Sequence, residues 1–208
     1  MPDGAYNEPP SPAALLRLRE ERRLVREGYS FLDEKRLLLA AEVIRQAKAY
    51  ENEMQRFRDL HQQAAAALRS ALLRHGLDGL EVYAAAGMDA ELKVETKNFL
   101  GVHLLSAHME SPPKVEFPPP VNPSPEAERC IRLFRELVTR SATLATISGN
   151  LHRLLAEYHR TQRRARALED VILPELERAV STMSAQLEEA DQEDAIRVRL
   201  GAGPRNEG

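Results

Sequence analysis

The chain has 208 residues and a net charge of −3, with no basic excess of the kind that nucleic-acid binding uses. It has no tryptophan and 5% aromatic residues, and Ala, Leu, Arg and Glu abound. That composition argues against a thick aromatic-filled core and for paired helices. Cys130 is the sole cysteine, so no intramolecular disulfide can form and a cytosolic address fits.

Residues 1–12, MPDGAYNEPPSP, are polar and proline-rich. They lack the basic start and apolar stretch of a secretory signal, and are expected to be disordered. No run of about 18 apolar residues occurs, so no transmembrane helix is expected.

Residues 13–75 read as one helix, ~95 Å long at the α-helical rise. Gly28 is its only glycine, and it contains no proline. Alternating steps of three and four from Val25 meet Tyr29, Leu32, Leu39, Val43, Tyr50, Phe57, Leu60 and a run of alanines, with Arg36, Gln46 and Glu53 as the only interruptions. That is a sustained coiled-coil stripe.

Residues 76–123 read differently. HGLDG is a helix stop. ELKVETKNFLGVHLL alternates Leu92, Val94 and Thr96, then Val102 and Leu104, around KNFLG, and predicts a β-hairpin. SPPKVEFPPPVNPSP is compatible with an extended loop only.

Residues 124–200 form a second predicted helix. Ser124 suits the N-cap, Pro125 the first helical position, and Glu126 and Glu128 the first turn. Its stripe from Cys130 to Ala190 is broken by Ser141, Ser148, Gln162, Glu169 and Gln186. The tail, residues 201–208, is expected to be disordered. The predicted fold class is mainly α: a long antiparallel two-helix coiled coil with a small β-hairpin and loop region between the helices. If His75 lies beside Ser124, antiparallel pairing brings Arg36 near Glu169, a candidate seam pair that would fix register. It also sets Pro174 opposite Gly28, where a helix kink would meet a residue without a side chain.

No catalytic constellation is visible: there is no glycine-rich phosphate loop, CxxC or HExxH. No catalytic residue, cofactor or metal site is therefore expected. His103 and His108 are poorly spaced as metal ligands, and carboxylate pairs such as Glu188–Glu189 fit a solvated helix face. Arginine is far commoner than lysine. Arg22, Arg23 and Arg26 cluster in the first helix, and Arg160, Arg163, Arg164 and Arg166 in the second. They make either a solubilising face or a basic band offered to acidic partner surfaces.

Two segments carry a resemblance. SPAALLRLREERRLVREGYSFLDEKRLLLAAEV, with Pro12, Leu15, Leu16, Gly28, Leu32, Lys35 and Arg36, resembles the N-terminal helix of the D subunit of V-type (vacuolar and archaeal-type) ATPases. TQRRARALEDVILPELE, with Thr161, Arg163, Arg164, Ala167, Leu168, Glu169 and Pro174, is similar to that family's C-terminal signature. Asn98, Gly101 and Val102 match its central hairpin segment, which marks them as hairpin and coupling residues. The chain departs from the family at Leu104–Ser106, where proline is frequent, and at Ile196, where an aromatic is usual.

The resemblance implies a rotor shaft of a V-type ATPase or ATP synthase that hydrolyses nothing itself. Such a shaft transmits torque between ATP turnover in a hexamer of catalytic and regulatory subunits and H⁺ or Na⁺ passage through a membrane ring. The implied partners are the hexamer, the small F subunit of the central stalk and a socket subunit on the ring. The implied place is cytoplasmic and peripheral to the membrane. The arginines would face the hexamer. The rival readings are a prefoldin-like chaperone subunit and a plain coiled-coil tether.

Overall fold

The structure is a computed structural model, and it describes residues 9–81, 83, 91–110 and 123–201. The expected disordered termini, apart from residues 9–12 and 201, and most of the expected proline-rich loop lie outside the described residues. In chain order the elements are helix α1 (Pro12–Glu81), strand β1 (Glu91–Phe99), strand β2 (Val102–Glu110), helix α2 (Pro125–Ala167), a π-helical turn (Leu168–Ile172) and helix α3 (Leu173–Gly201). Two long helical segments with a small antiparallel sheet between them in sequence are the fold class that the periodicity predicted.

Both helical segments start on the same device. The Ser11 hydroxyl accepts the Ala14 N–H at 3.2 Å, and the Ser124 hydroxyl accepts the Ala127 N–H at 3.2 Å. A proline follows each serine, at the position where the missing N–H has no helical partner to lose. Gly76 breaks α1: its φ of 70° and ψ of 176° are not helical. A side chain there would be strained, and glycine is not.

The chain divides into two compact units. In the first, residues 1–37 and 159–208, Ala14 and Leu18 of α1 bury themselves against Leu176, Val180 and Met183 of α3. Leu15, Val25, Ile172 and Leu187 close the sides of that seam. Each buried leucine or valine contributes ~1.5–3 kcal/mol by leaving water. The partners run in opposite directions, low numbers on α1 meeting high numbers on α3.

In the second unit, residues 38–158, Leu60, Ala64 and Ala67 of α1 pack on Leu133 and Leu137 of α2, with Phe57 and Cys130 beside them. Burial pushes the Cys130 thiol above its ordinary range, so the group stays a protonated, inert packing element. The small alanines let the two helices approach closely. Ion pairs flank this seam: Arg74 meets Glu126 at 2.8 Å, and Arg140 meets Glu53 at 2.6 Å. His75 and the Ser124 hydroxyl lie 2.6 Å apart, the adjacency on which the antiparallel register was predicted.

Candidate functional site

The hairpin belongs to the second unit. Phe99 pairs with Val102 across the two-residue loop Leu100–Gly101. Both loop residues have positive φ, 51° and 86°, the combination of a type I′ turn. Gly101 takes this at no steric cost. Leu100 does not, and a left-handed leucine costs ~1–2 kcal/mol. The Asn98 carboxamide oxygen accepts the Gly101 N–H at 3.0 Å and holds the turn shut. Asn98 and Gly101 thus shape the tip.

Val102 has a different role. With Leu104 it is buried against Leu39 of α1 and Leu154 of α2, both fully enclosed, and Phe99, Val43 and Tyr158 pack around them. The hairpin tip is therefore part of a core. Asn150 of α2 completes the attachment: its amide donates to the Leu105 carbonyl at 2.7 Å, and its oxygen accepts the Leu105 N–H at 2.8 Å. One side chain satisfies both backbone groups that Leu105 turns away from β1. Sequence reasoning missed Asn150, because it lies off the apolar stripe and its partner is backbone. The one available signal was a poor helix former amid Ile147, Leu151 and Leu154.

Near the tip, Glu42 is largely buried. Its hydrogen bond from Arg45 is the main reason its carboxyl titrates below the usual range, burial opposes that, and Gln46 and the nearby Lys97 of β1 add to the lowering. The Arg45 Nε–Glu42 distance is 2.7 Å.

In the first unit the π turn precedes Pro174. The Leu173 N–H donates to the Leu168 carbonyl, one residue further back than in an α-helix. Proline has no N–H to offer its own fourth-back carbonyl, and the widened turn is how the chain passes that point. Gly28 does face this turn: a methyl built on it would lie 3.9 Å from Leu168 Cδ1, an ordinary contact. The glycine is therefore not demanded by close approach.

Arg36 and Glu169 form no direct bridge across the seam. Arg36 binds Asp33 in its own helix at 2.6 Å. Glu169 instead accepts a hydrogen bond from the Tyr29 hydroxyl, the first cause of a Tyr29 ionisation above its ordinary value, with partial burial and the charge of Glu169 adding to it. Arg36 lies close enough to Tyr29 to act in the opposite sense. Tyr29 stands between the two residues that the periodicity set together. A partner one turn away in the same helix needs no reach across the seam, and Asp33 wins Arg36 on that ground. The seam residue that does bridge the helices is Glu53, an interruption in the stripe of α1, through Arg140.

The predicted arginine band splits in two. Arg23 pairs with Glu20 at 2.7 Å and Arg26 with Glu177 at 2.9 Å, both on the surface. Arg163, Arg164 and Arg166 are exposed and form no ion pair with another described residue, while Thr161 and Ala165 turn into the seam. Arg22 is half-buried and likewise unpaired among the described residues, and Arg160 is exposed but engaged. Among the described residues no three His, Cys, Asp or Glu side chains gather as a metal site, and no helix is long and apolar enough to cross a membrane.

Antiparallel helix pairs, with a hairpin seated on one of them, define a protein of the antiparallel coiled-coil class. The family model for the ATP synthase D subunit matches residues 14–200, and the chain belongs to that family. It is 26% identical to the V-type ATP synthase D subunit of Thermotoga neapolitana, over 91% of this chain and 94% of the relative. It is 29% identical to that of Thermus thermophilus, over 91% and 85%. To the V-type ATP synthase D subunit of Anaeromyxobacter dehalogenans it is 31% identical, over 89% and 90%.

Proposed function

We infer that this chain is the central rotor shaft of a V-type ATPase or ATP synthase. The carrying observation is the D-subunit family match over residues 14–200, nearly the whole chain. In this reading the chain performs no chemistry. It transmits torque between ATP turnover in a catalytic hexamer and ion passage through a membrane ring, and works in the cytoplasm beside the membrane. Its partners are the hexamer's catalytic and regulatory subunits, the small F subunit of the stalk and the socket subunit of the ring.

The physical requirements of a shaft agree with the chain. Torque needs helices that do not slip. Interlocked leucines in each unit, with Glu53–Arg140 and Arg74–Glu126 across the seam of the second, resist sliding. Arg163, Arg164 and Arg166, exposed and without an ion pair among the described residues, suit contact with acidic partner surfaces. Co-purification tests the reading. A complex with a nucleotide-hydrolysing hexamer, whose ion pumping stops when this chain is deleted while ATP hydrolysis persists uncoupled, is expected. A self-contained chaperone hexamer made with this chain would overturn it.

A further inference from the structure

We propose that the hairpin's outer strand, β1, is a self-complementary edge that pairs antiparallel with β1 of a second copy of the chain, closing a four-stranded sheet around a two-fold axis at Val94. This pairing belongs to the unassembled chain and does not depend on the shaft reading.

The two edges of the hairpin are unlike. The β2 edge is met by Asn150, which takes both Leu105 backbone groups. The β1 edge turns the other way, and every residue from Glu91 to Asn98 is exposed. Backbone phase follows from the ladder. Phe99 and Val102 flank a two-residue loop and exchange bonds, so Lys97, Glu95 and Lys93 also bond to β2. Leu92, Val94, Thr96 and Asn98 then direct N–H and C=O outward, and no described residue bonds them. An open row of this kind is a template for another strand.

Side chains choose the occupant. One face of β1 reads Glu91, Lys93, Glu95, Lys97, and the other carries Leu92 and Val94, each about half exposed. Centre an antiparallel copy on Val94. Lys93 then faces Glu95 of the second copy and Glu91 faces Lys97, and each contact occurs twice by symmetry. Val94 meets Val94, and both turn their backbone groups outward, so the two exchange both bonds. Slipping the register by two residues sets Lys93 against Lys93 or Glu95 against Glu95, which repel. Slipping it by one puts inward-bonded groups opposite outward ones. The alternation thus blunts the edge to unmatched strands and leaves it open to its own copy. A two-stranded sheet is marginal alone, and four strands with an enlarged apolar face gain stability.

Sedimentation equilibrium of the full chain tests this. A concentration-dependent dimer is expected. Lys93→Glu sets like charges at both symmetric contacts and should weaken the dimer at least about tenfold. Lys93→Glu with Glu95→Lys restores opposite charges and should restore association. Val94→Pro removes the central outward N–H without touching a bond to β2, and should leave monomer with an unchanged helical circular dichroism signal. A chain that stays monomeric up to about 1 mM, the range of weak contacts, overturns the proposal. So does a dimer indifferent to Lys93→Glu and Val94→Pro, or a charge swap that fails to rescue.

Discussion

The Tyr29 hydroxyl donates to the Glu169 carboxylate on the second residue of the π turn, so helix α1 is tied to the point where the other helical segment leaves α geometry. The proton of Tyr29 is held more tightly in the folded chain than at its ordinary value of 10.0. The bond therefore supports the fold below that pH, and the support is lost as pH rises through the higher folded value. Ultraviolet titration of the tyrosines should show Tyr29 ionising late. Glu169→Gln should bring it down toward the ordinary value, and an unmoved titration would show that another group raises it.

Gly28 gives a second expectation. It sits within a helix at ordinary φ, and the space its methyl would enter is free to 3.9 Å. Gly28→Ala should stabilise the chain by about 0.5–1 kcal/mol, through helix propensity and a less flexible unfolded state. Thermal melting checks this, and a loss of stability would mean that the turn beside Leu168 needs more room than it shows.

The seams and the hairpin were legible because they rest on period. Steps of three and four exposed the stripe of α1 and, in part, that of the second helical segment, where Leu133 and Leu154 are buried beside the stepped positions of Phe134 and Leu155. Alternation around Asn98–Gly101 exposed the hairpin, and Ser124–Pro125 marked the second helix start. What was illegible depended on choice among near-equal options. Pro174 announces a break, but a bend and a widened turn both satisfy it. Arg36 could reach across the seam or back to Asp33, and only the folded arrangement decides. Val102 reads as a strand residue whether its strand is seated or free. That it lies under Leu39 and Leu154 requires knowing where the hairpin falls.

Removing Asn150 should release the hairpin from α2. In Asn150→Ala the Leu105 N–H and C=O lose their partners, at a cost of about 1–3 kcal/mol. Hydrogen exchange at Leu105 should speed up while the seam around Leu60 and Leu137 stays protected. Unchanged exchange at Leu105 would show that Val102 and Leu104 alone hold the strand. A Gly/Ser turn in place of Glu91–Leu105 should likewise strip the cover from Leu39 and Leu154.

The arginines offer a prediction of a different kind. Arg163 and Arg164 are exposed and form no ion pair with a described residue, so truncating them breaks no bond within the described fold. Arg163→Ala with Arg164→Ala should leave the melting temperature within about a degree or two, as surface changes do. On the shaft reading it should weaken association with the hexameric head several-fold at low salt, and the gap should close as salt screens the contact. Salt-independent binding equal to that of the parent would show the pair to be a solvated face.

Pro174 yields the sharpest test. Around it the buried positions of the first unit fall at Ala165, Leu176 and Val180, with Leu168 and Ile172 partly buried between them. Steps of four follow one another there without the intervening step of three, so the repeat carries one residue too many. The π turn absorbs that residue. A return to α geometry would rotate everything after it by roughly 100° and carry Leu176, Val180 and Met183 off Ala14 and Leu18. Proline and packing therefore act together to keep the turn wide. Pro174→Ala alone should keep the π turn, since the seam still demands it, and should stabilise the chain by no more than about 1 kcal/mol, well below the usual cost of an interior proline. Combining Pro174→Ala with deletion of the exposed Val171 removes both causes, and the segment should then run as continuous α-helix with the same stripe on the seam. On the shaft reading the parent and Pro174→Ala should couple ATP turnover to pumping alike, and the double variant should couple less well, because the local departure from regular winding is gone. A Pro174→Ala chain that reverts to α geometry on its own would show that the proline, not the repeat, imposes the turn.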